Sequence, residues 1–184
     1  TASLPANQRS TDVADTATDE FRINTTFPSS NETQLQVDVD PGDLSGDGSE
    51  SDPYQISNVS ELQAMEDDLD ANYTLVSDID ASQTAQFDDG SGFDPVGGAG
   101  GIESTPPQFT GSFDGNNHTI TGLTVNRPDE DSVGLFGATG NKATLTNVTL
   151  TNVTVTGDSG VGGLVGANLG NVIDVSASGS VTGR

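Results

Sequence analysis

Carboxylates are the chemically versatile side chains this sequence offers in number. Asp78, Asp80 and Asp114 stand in stretches where β-branched and polar residues alternate. Two carboxyls held some distance apart are what an inverting glycoside hydrolase uses, one as acid and one as base, so Asp114 with Asp78 or Asp80 is the pairing to weigh. A polysaccharide lyase would need cations beside such carboxylates to hold an acidic sugar, and only Arg127 and Lys142 lie near them. Asp78 and Asp80 flank Ile79 on the side away from a core; that permits a metal, although an outward acidic pair is the simpler reading. Asp43, Asp47 and Glu50 could wrap a calcium ion, but the ligand order of an EF-hand is not met, and a solvated acidic loop is the default. His118 is the single histidine, beside a β-turn, where a turn-bonded surface role is commoner than metal ligation; no His-Glu-x-x-His zinc motif occurs. The expectation is therefore a non-enzyme with no catalytic residue, no metal and no cofactor.

Asparagine offers a different chemistry. Asn-x-Ser/Thr acceptor sequences occur at Asn24, Asn31, Asn58, Asn72, Asn117, Asn147 and Asn152, each a candidate for N-glycosylation. Asn24, Asn31, Asn72 and Asn117 sit in polar or turn-like surroundings. For Asn147 and Asn152, Asn-Val-Thr reads equally well as strand chemistry.

The elements that would position these residues are short. Residues 1–20 lack apolar periodicity and read as a flexible tail. Within 21–52, Phe21, Ile23, Leu35, Val37 and Val39 suggest two strands, followed by an acidic Gly/Ser linker from Asp40 to Asp52. The strands pair with the first turn of the following domain, with each other, or with a neighbouring subunit. Ser60 with Gln63 three residues on suggests a capping box, and Leu62, Met65 and Leu69 fall on one helical face, which predicts a helix from Ser60 to Asp70 closing an apolar end. Residues 81–108 read as a long excursion anchored by Phe87, Phe93 and Val96, the first place to seek a ligand or partner surface. Phe109, Phe113, Ile120, Leu123 and Val125 should point inward around a tight turn at Asp114 to Asn117.

The later part of the chain repeats itself. Leu135, Phe136 and Gly137 align with Leu164, Val165 and Gly166 at a spacing of about 29 residues, in the range of solenoid repeats. Units of this size cannot bury an apolar face alone and must stack. Leu145 to Val155 alternates aliphatic and small polar residues, with a break between Leu145 and Val148 that implies a corner. The run Val161 to Gly183 resembles the GLUG-type repeat of bacterial and archaeal surface proteins and adhesins. Asp52 to Ser57, Tyr73 to Asp80 and Phe109 to Leu123 resemble the segments that open such repeats, so the likeness spans roughly residues 52–184. It implies an all-β, right-handed parallel β-helix over 53–184, with a short N-terminal capping helix and an extended leader. The sequence departs at Val175 or nearby, where many relatives carry cysteine; thiol chemistry is thereby removed.

Composition narrows the function. The 184 residues hold 28 Asp and Glu against 5 Lys and Arg, a formal charge of −23, which repels nucleic acid and anionic membranes. Adaptation to molar salt, calcium loading and plain acidic disorder compete as explanations; scarce lysine with aspartate in almost every loop favours the first, since screening at about 3 Å removes self-repulsion. There is no cysteine, no long apolar run and no signal peptide, so an exported form would be mature or trimmed here. These readings converge on an extracellular surface, filament or adhesion module of a halophilic archaeon or its virus. It would carry glycans and associate with itself or other surface proteins by stacking or strand donation. A carbohydrate-binding or carbohydrate-active protein is the alternative.

Overall fold

The computed structural model describes residues 44–98 and 107–184. The tail at 1–20, the strands expected in 21–39, Asn24, Asn31, Asp43 and residues 99–106 of the excursion lie outside the described residues. In chain order the elements are β1 (Tyr54–Ile56), α1 (Val59–Gln63), β2 (Asn72–Leu75), β3 (Ile79–Asp80), β4 (Ser112–Asp114), β5 (Thr119–Thr121), β6 (Thr124–Asn126), β7 (Phe136–Thr139), β8 (Thr144–Thr146), β9 (Thr149–Thr156), β10 (Val165–Asn168), β11 (Asn171–Ile173) and β12 (Ser176–Thr182). The regular structure of the described part is thus mostly strand, as the alternation of Thr with Leu, Ile and Val requires.

Every ladder between these strands is parallel. They form three sheets, ordered β1-β2-β4-β8-β11, β10-β7 and β12-β9-β5-β3, with β6 also on β9. Parallel pairing demands a long return path, and the register shows its length. Ile120 lies beside Leu150 and Val125 beside Val155, each 30 residues on. Phe136 lies beside Val165, 29 residues on, and Leu145 beside Val172, 27 on. Leu135 and Leu164 are therefore neighbours, one position before the Phe136 pair.

Because the side-chain period of a strand is two, equal register stacks like upon like. One row runs Tyr54, Tyr73, Phe113, Leu145, Val172 across a sheet; another runs Ile79, Ile120, Leu150, Ala177. Interior members are almost fully buried. Aromatic rings fill the middle, with Phe109 and Phe136 centroids 5.0 Å apart and Phe136 and Phe113 5.5 Å apart at steep tilts, worth about 1 kcal/mol per pair beyond burial. The Tyr73 hydroxyl donates to the Asp68 carbonyl at 2.8 Å, and burial raises its pKa.

Corners need residues that tolerate positive φ. Asn147 (φ 53) and Asp174 (φ 54) turn the chain after β8 and β11, and Asn152 (φ 55) breaks β9 beside Gly122 (φ 78). Asn and Asp are the non-glycine residues best suited to this region. The break expected between Leu145 and Val148 is the Asn147 corner.

The helix differs from expectation. Rather than one helix over 60–70, α1 ends at Gln63 and a single 3-10 turn, Ala64–Asp67, follows. Its N-cap is Asn58, whose Oδ1 accepts the Ser60 and Glu61 amides at 3.0 Å each, and Glu61 reaches back to the Ser57 amide at 2.6 Å. Asparagine is among the strongest N-caps, so the Ser60 and Gln63 capping box does not form. Gln63 instead exchanges two hydrogen bonds with the Asp94 backbone. Val59, Leu62 and Met65 join the core as expected of a closing element.

Two further segments are tied down. In the acidic loop, the Ser45 carbonyl accepts from Gln55 and the Gly48 carbonyl from Asn72, so 44–52 runs along β1 and β2. In the excursion, Phe93 and Val96 are fully buried, with Val96 bridged to Phe136 and Phe109 to Thr139.

Candidate interaction surface

The carboxylates weighed as an acid and base pair are occupied in turns. Asp78 Oδ1 accepts the Thr119 amide at 2.9 Å and lies 3.2 Å from His118 Nδ1. The Thr119 amide first, and His118 second, hold the Asp78 carboxyl below its ordinary pKa. Asp80 accepts the Ser82 amide at 3.0 Å, which lowers its pKa likewise. Asp114 accepts the Asn116 amide at 2.8 Å and Asn147 Nδ2 at 3.0 Å. Each carboxylate thereby satisfies backbone or corner donors left open where strands end. His118 is the turn-bonded residue its context suggested. Asp47 accepts the Ser49 amide, and hydrogen bonds from Ser49 lower its pKa too. Among the described residues, no three His, Cys, Asp or Glu side chains gather as metal ligands.

Among the ion-paired side chains of the described residues, Arg127 is the most buried, at only 12% exposed. Nη2 lies 3.1 Å from Asp94 and 3.7 Å from Asp88, and Nη1 lies 3.4 Å from Glu130. Nε is buried without a hydrogen-bond partner. The guanidinium ties the excursion to the corner after β6. Nearby, the fully buried Thr84 hydroxyl donates to the Ala81 carbonyl at 2.7 Å and accepts the Thr124 amide at 2.9 Å.

The acceptor asparagines divide by environment. Asn72 sits half-buried in β2, donating through Nδ2 to the Gly48 carbonyl at 2.9 Å and accepting from Ser112 at 2.6 Å. Asn147 is half-buried with Nδ2 on Asp114. Asn58 is exposed and caps α1 through Oδ1. Asn117 and Asn152 are exposed, and neither side chain makes a hydrogen bond among the described residues.

Two surfaces remain. Strands β5, β6, β9 and β12 carry no charged residue. Their outward positions are Thr, Ser and Asn in register, with Thr121 and Thr151 hydroxyls 2.9 Å apart. In a chain of charge −23, an uncharged hydroxyl face is a local exception. The second surface is the edge where all three sheets end. Strands β10, β11 and β12 are each paired on one side only, and β11 and β12 are exposed throughout. Val172 is 41%, Val181 48%, Ile173 51% and Leu169 67% exposed. The available signal was the charge distribution: residues 143–184 contain two of the 28 acidic residues, Asp158 and Asp174, and one cation, Arg184.

Comparison with known proteins places this surface in context. The chain is 41% identical over 144 residues to a stretch of Halomucin from Haloquadratum walsbyi, covering 76% of this chain and 2% of that protein. It is 36% identical over 137 residues to a Putative Gly-rich membrane protein from Evansella cellulosilytica, covering 71% of this chain and 15% of that one. The chain thus spans a small fraction of either relative. No family model matches it, and no solved structure matches it significantly. No helix among the described residues is long and apolar enough to cross a membrane.

Proposed function

We propose that this chain is a non-enzymatic, extracellular module of a halophile's cell surface, built as a right-handed parallel β-helix of GLUG-type repeats. The uniform parallel register, returning to the same sheet after 26 to 32 residues from β4 onward, supports the winding (Phe113 to Leu145, 32; Val155 to Val181, 26). The observation that carries the function is the likeness to a stretch of Halomucin in a chain with net charge −23, as molar salt tolerates. Its role is architectural, in adhesion or filament formation, through stacking or strand donation. Asn58, Asn117 and Asn152, whose side chains are exposed, are the glycan acceptors this reading favours over Asn72 and Asn147.

A second reading, binding of neutral carbohydrate, is favoured by the uncharged hydroxyl face of β5, β6, β9 and β12. Antibodies raised against the chain test the first reading on intact source cells held in their growth salt. Labelling before lysis is expected; labelling only after lysis refutes it. Incubation with neutral and acidic polysaccharides should release no new reducing or unsaturated ends, and their appearance would make the protein an enzyme.

A further inference from the structure

We propose that Asn152 carries an N-linked glycan whose first sugar is neutral and lies against the threonines on either side of it. This rests on the glycan-bearing surface reading above, and narrows it to one acceptor and the seat of its sugar.

The strands that build the seat have neighbours on both sides. β9 pairs with β5 and β6 along one side and with β12 along the other; β5 also pairs with β3, and Val125 of β6 is bridged to Gly92. Asn152 interrupts β9 at φ 55, exposed, between the register pairs Thr121–Thr151 and Thr124–Thr154. The same position thirty residues earlier is Gly122, with no side chain to crowd the Asn152 amide. Thr121 and Thr154 are exposed, Thr124 and Thr151 half-buried. Their methyls suit the C–H face of a sugar ring. The Thr121–Thr151 contact at 2.9 Å consumes one hydroxyl proton and one lone pair, leaving the second proton and further lone pairs for sugar hydroxyls.

Charge selects the acceptor and the sugar. Asn58 accepts the Glu61 amide, and Asn117 is followed by His118, 3.2 Å from Asp78, so both stand beside ionisable side chains. Strands β5, β6 and β9 carry none. The next cation along the chain, Arg127, is engaged by Asp88, Asp94 and Glu130. An acidic sugar here would be set down without a counter-charge in a chain of charge −23, whereas a neutral one meets only hydroxyls and methyls. In the transfer, Asn152 Nδ2 bonds to C1 of a sugar supplied on a lipid phosphate; the C1–O bond to phosphate breaks, the phosphate keeps that electron pair, and one amide proton passes to a base of the transferase. Thr154 completes the acceptor sequence and flanks the seat.

The experiment expresses the full chain, with an export signal, in its source cells on isotope-labelled medium. Trypsin cuts after Lys142 and Arg184, so one peptide holds both Asn147 and Asn152, and electron-transfer fragmentation tells them apart. A glycan on Asn152 beginning with a hexose or N-acetylhexosamine is expected, with Asn147 bare. Nuclear Overhauser contacts should join the first sugar's protons to the Thr121 and Thr124 methyls. Asn152→Gln should abolish them and shift those methyl resonances, and Asn58→Gln should leave them as they are; should the Asn152→Gln chain not fold, the contacts in the parent chain decide. A uronic acid as first sugar, or a sugar on Asn152 without contact to these methyls, overturns the seat. Glycans on Asn58 or Asn117 but not on Asn152 overturn the site and leave the glycan-bearing reading standing. Bare asparagine at every acceptor sequence overturns both, while the cell-surface placement is decided separately by the labelling of intact cells.

Discussion

Replacing Thr84 by valine separates a buried hydrogen bond from buried volume. Thr84 is fully buried in the excursion, and its hydroxyl is the acceptor for the Thr124 amide at the start of β6. The Ala81 carbonyl that takes the hydroxyl proton also receives the Thr84 amide at 3.0 Å, so it keeps a partner after the substitution. The uncompensated group in Thr84→Val is therefore the Thr124 N–H alone, at about 1–3 kcal/mol. The new methyl returns roughly 0.8 kcal/mol, for a net loss of up to about 2 kcal/mol. Thr84→Ser keeps both bonds and loses one methyl, costing about 1 kcal/mol. Thr84→Ala loses both contributions and should cost about 2–3 kcal/mol. Urea unfolding in molar salt measures the three losses, alanine's being the largest. Amide exchange adds the discriminating readout, because Thr124 should exchange faster in Thr84→Val and not in Thr84→Ser. A valine variant as stable as the parent, with Thr124 exchange unchanged, would refute the assignment of this hydroxyl as the pin between excursion and sheet.

Position within a register row should set the cost of truncation: Leu145→Ala, in the row's interior, should cost about 2–5 kcal/mol, and Val172→Ala at its exposed end under about 1 kcal/mol, both read from urea midpoints. Comparable losses would mean the row is not buried in this order. Carboxyls held below their ordinary pKa, as Asp78 and Asp80 are, stabilise the fold above the unfolded carboxyl range and stop doing so as pH falls through their depressed values. Stability should accordingly decline on acidification in that window, and Asp78→Asn should flatten the decline in a pH series of thermal melts; an identical slope in the variant would remove Asp78 from the account.

Much of the core was legible because strand alternation is a local property. Phe109, Phe113, Ile120, Leu123 and Val125 were read as inward around the tight turn at Asp114 to Asn117, and all are fully buried. The pairing of Leu135 with Leu164 followed from self-similarity alone. The helix was half legible: Leu62 and Met65 announced a buried face, but Asn58 outcompeted Ser60 for the cap because its carbonyl oxygen reaches two amides. Asn58 had drawn notice as an acceptor sequence, and its capping strength was the signal passed over. Phe93 and Val96 were anticipated as anchors. Their ladder positions were not, since Val96 pairs with Phe136 across 40 residues of chain. The roles of Thr84 and Arg127 were likewise hidden, because their partners come together only when the excursion folds back on the strands.

By itself the amino-acid order determined the character of this protein: a parallel-strand repeat, uncharged in its later strands, acidic elsewhere, without thiols and with a lone histidine. Those properties depend on residue type and spacing, which are written along the chain. Only tertiary structure decided that Asp78, Asp80 and Asp114 serve turns, that Asn72 and Asn147 are half-buried and hydrogen-bonded while Asn117 and Asn152 are exposed, and that Val172 and Val181 differ in burial from the interior members of their rows. Burial and hydrogen-bond partnership are set by what lies on either side of a residue in the stack, and those neighbours are some thirty residues away in sequence.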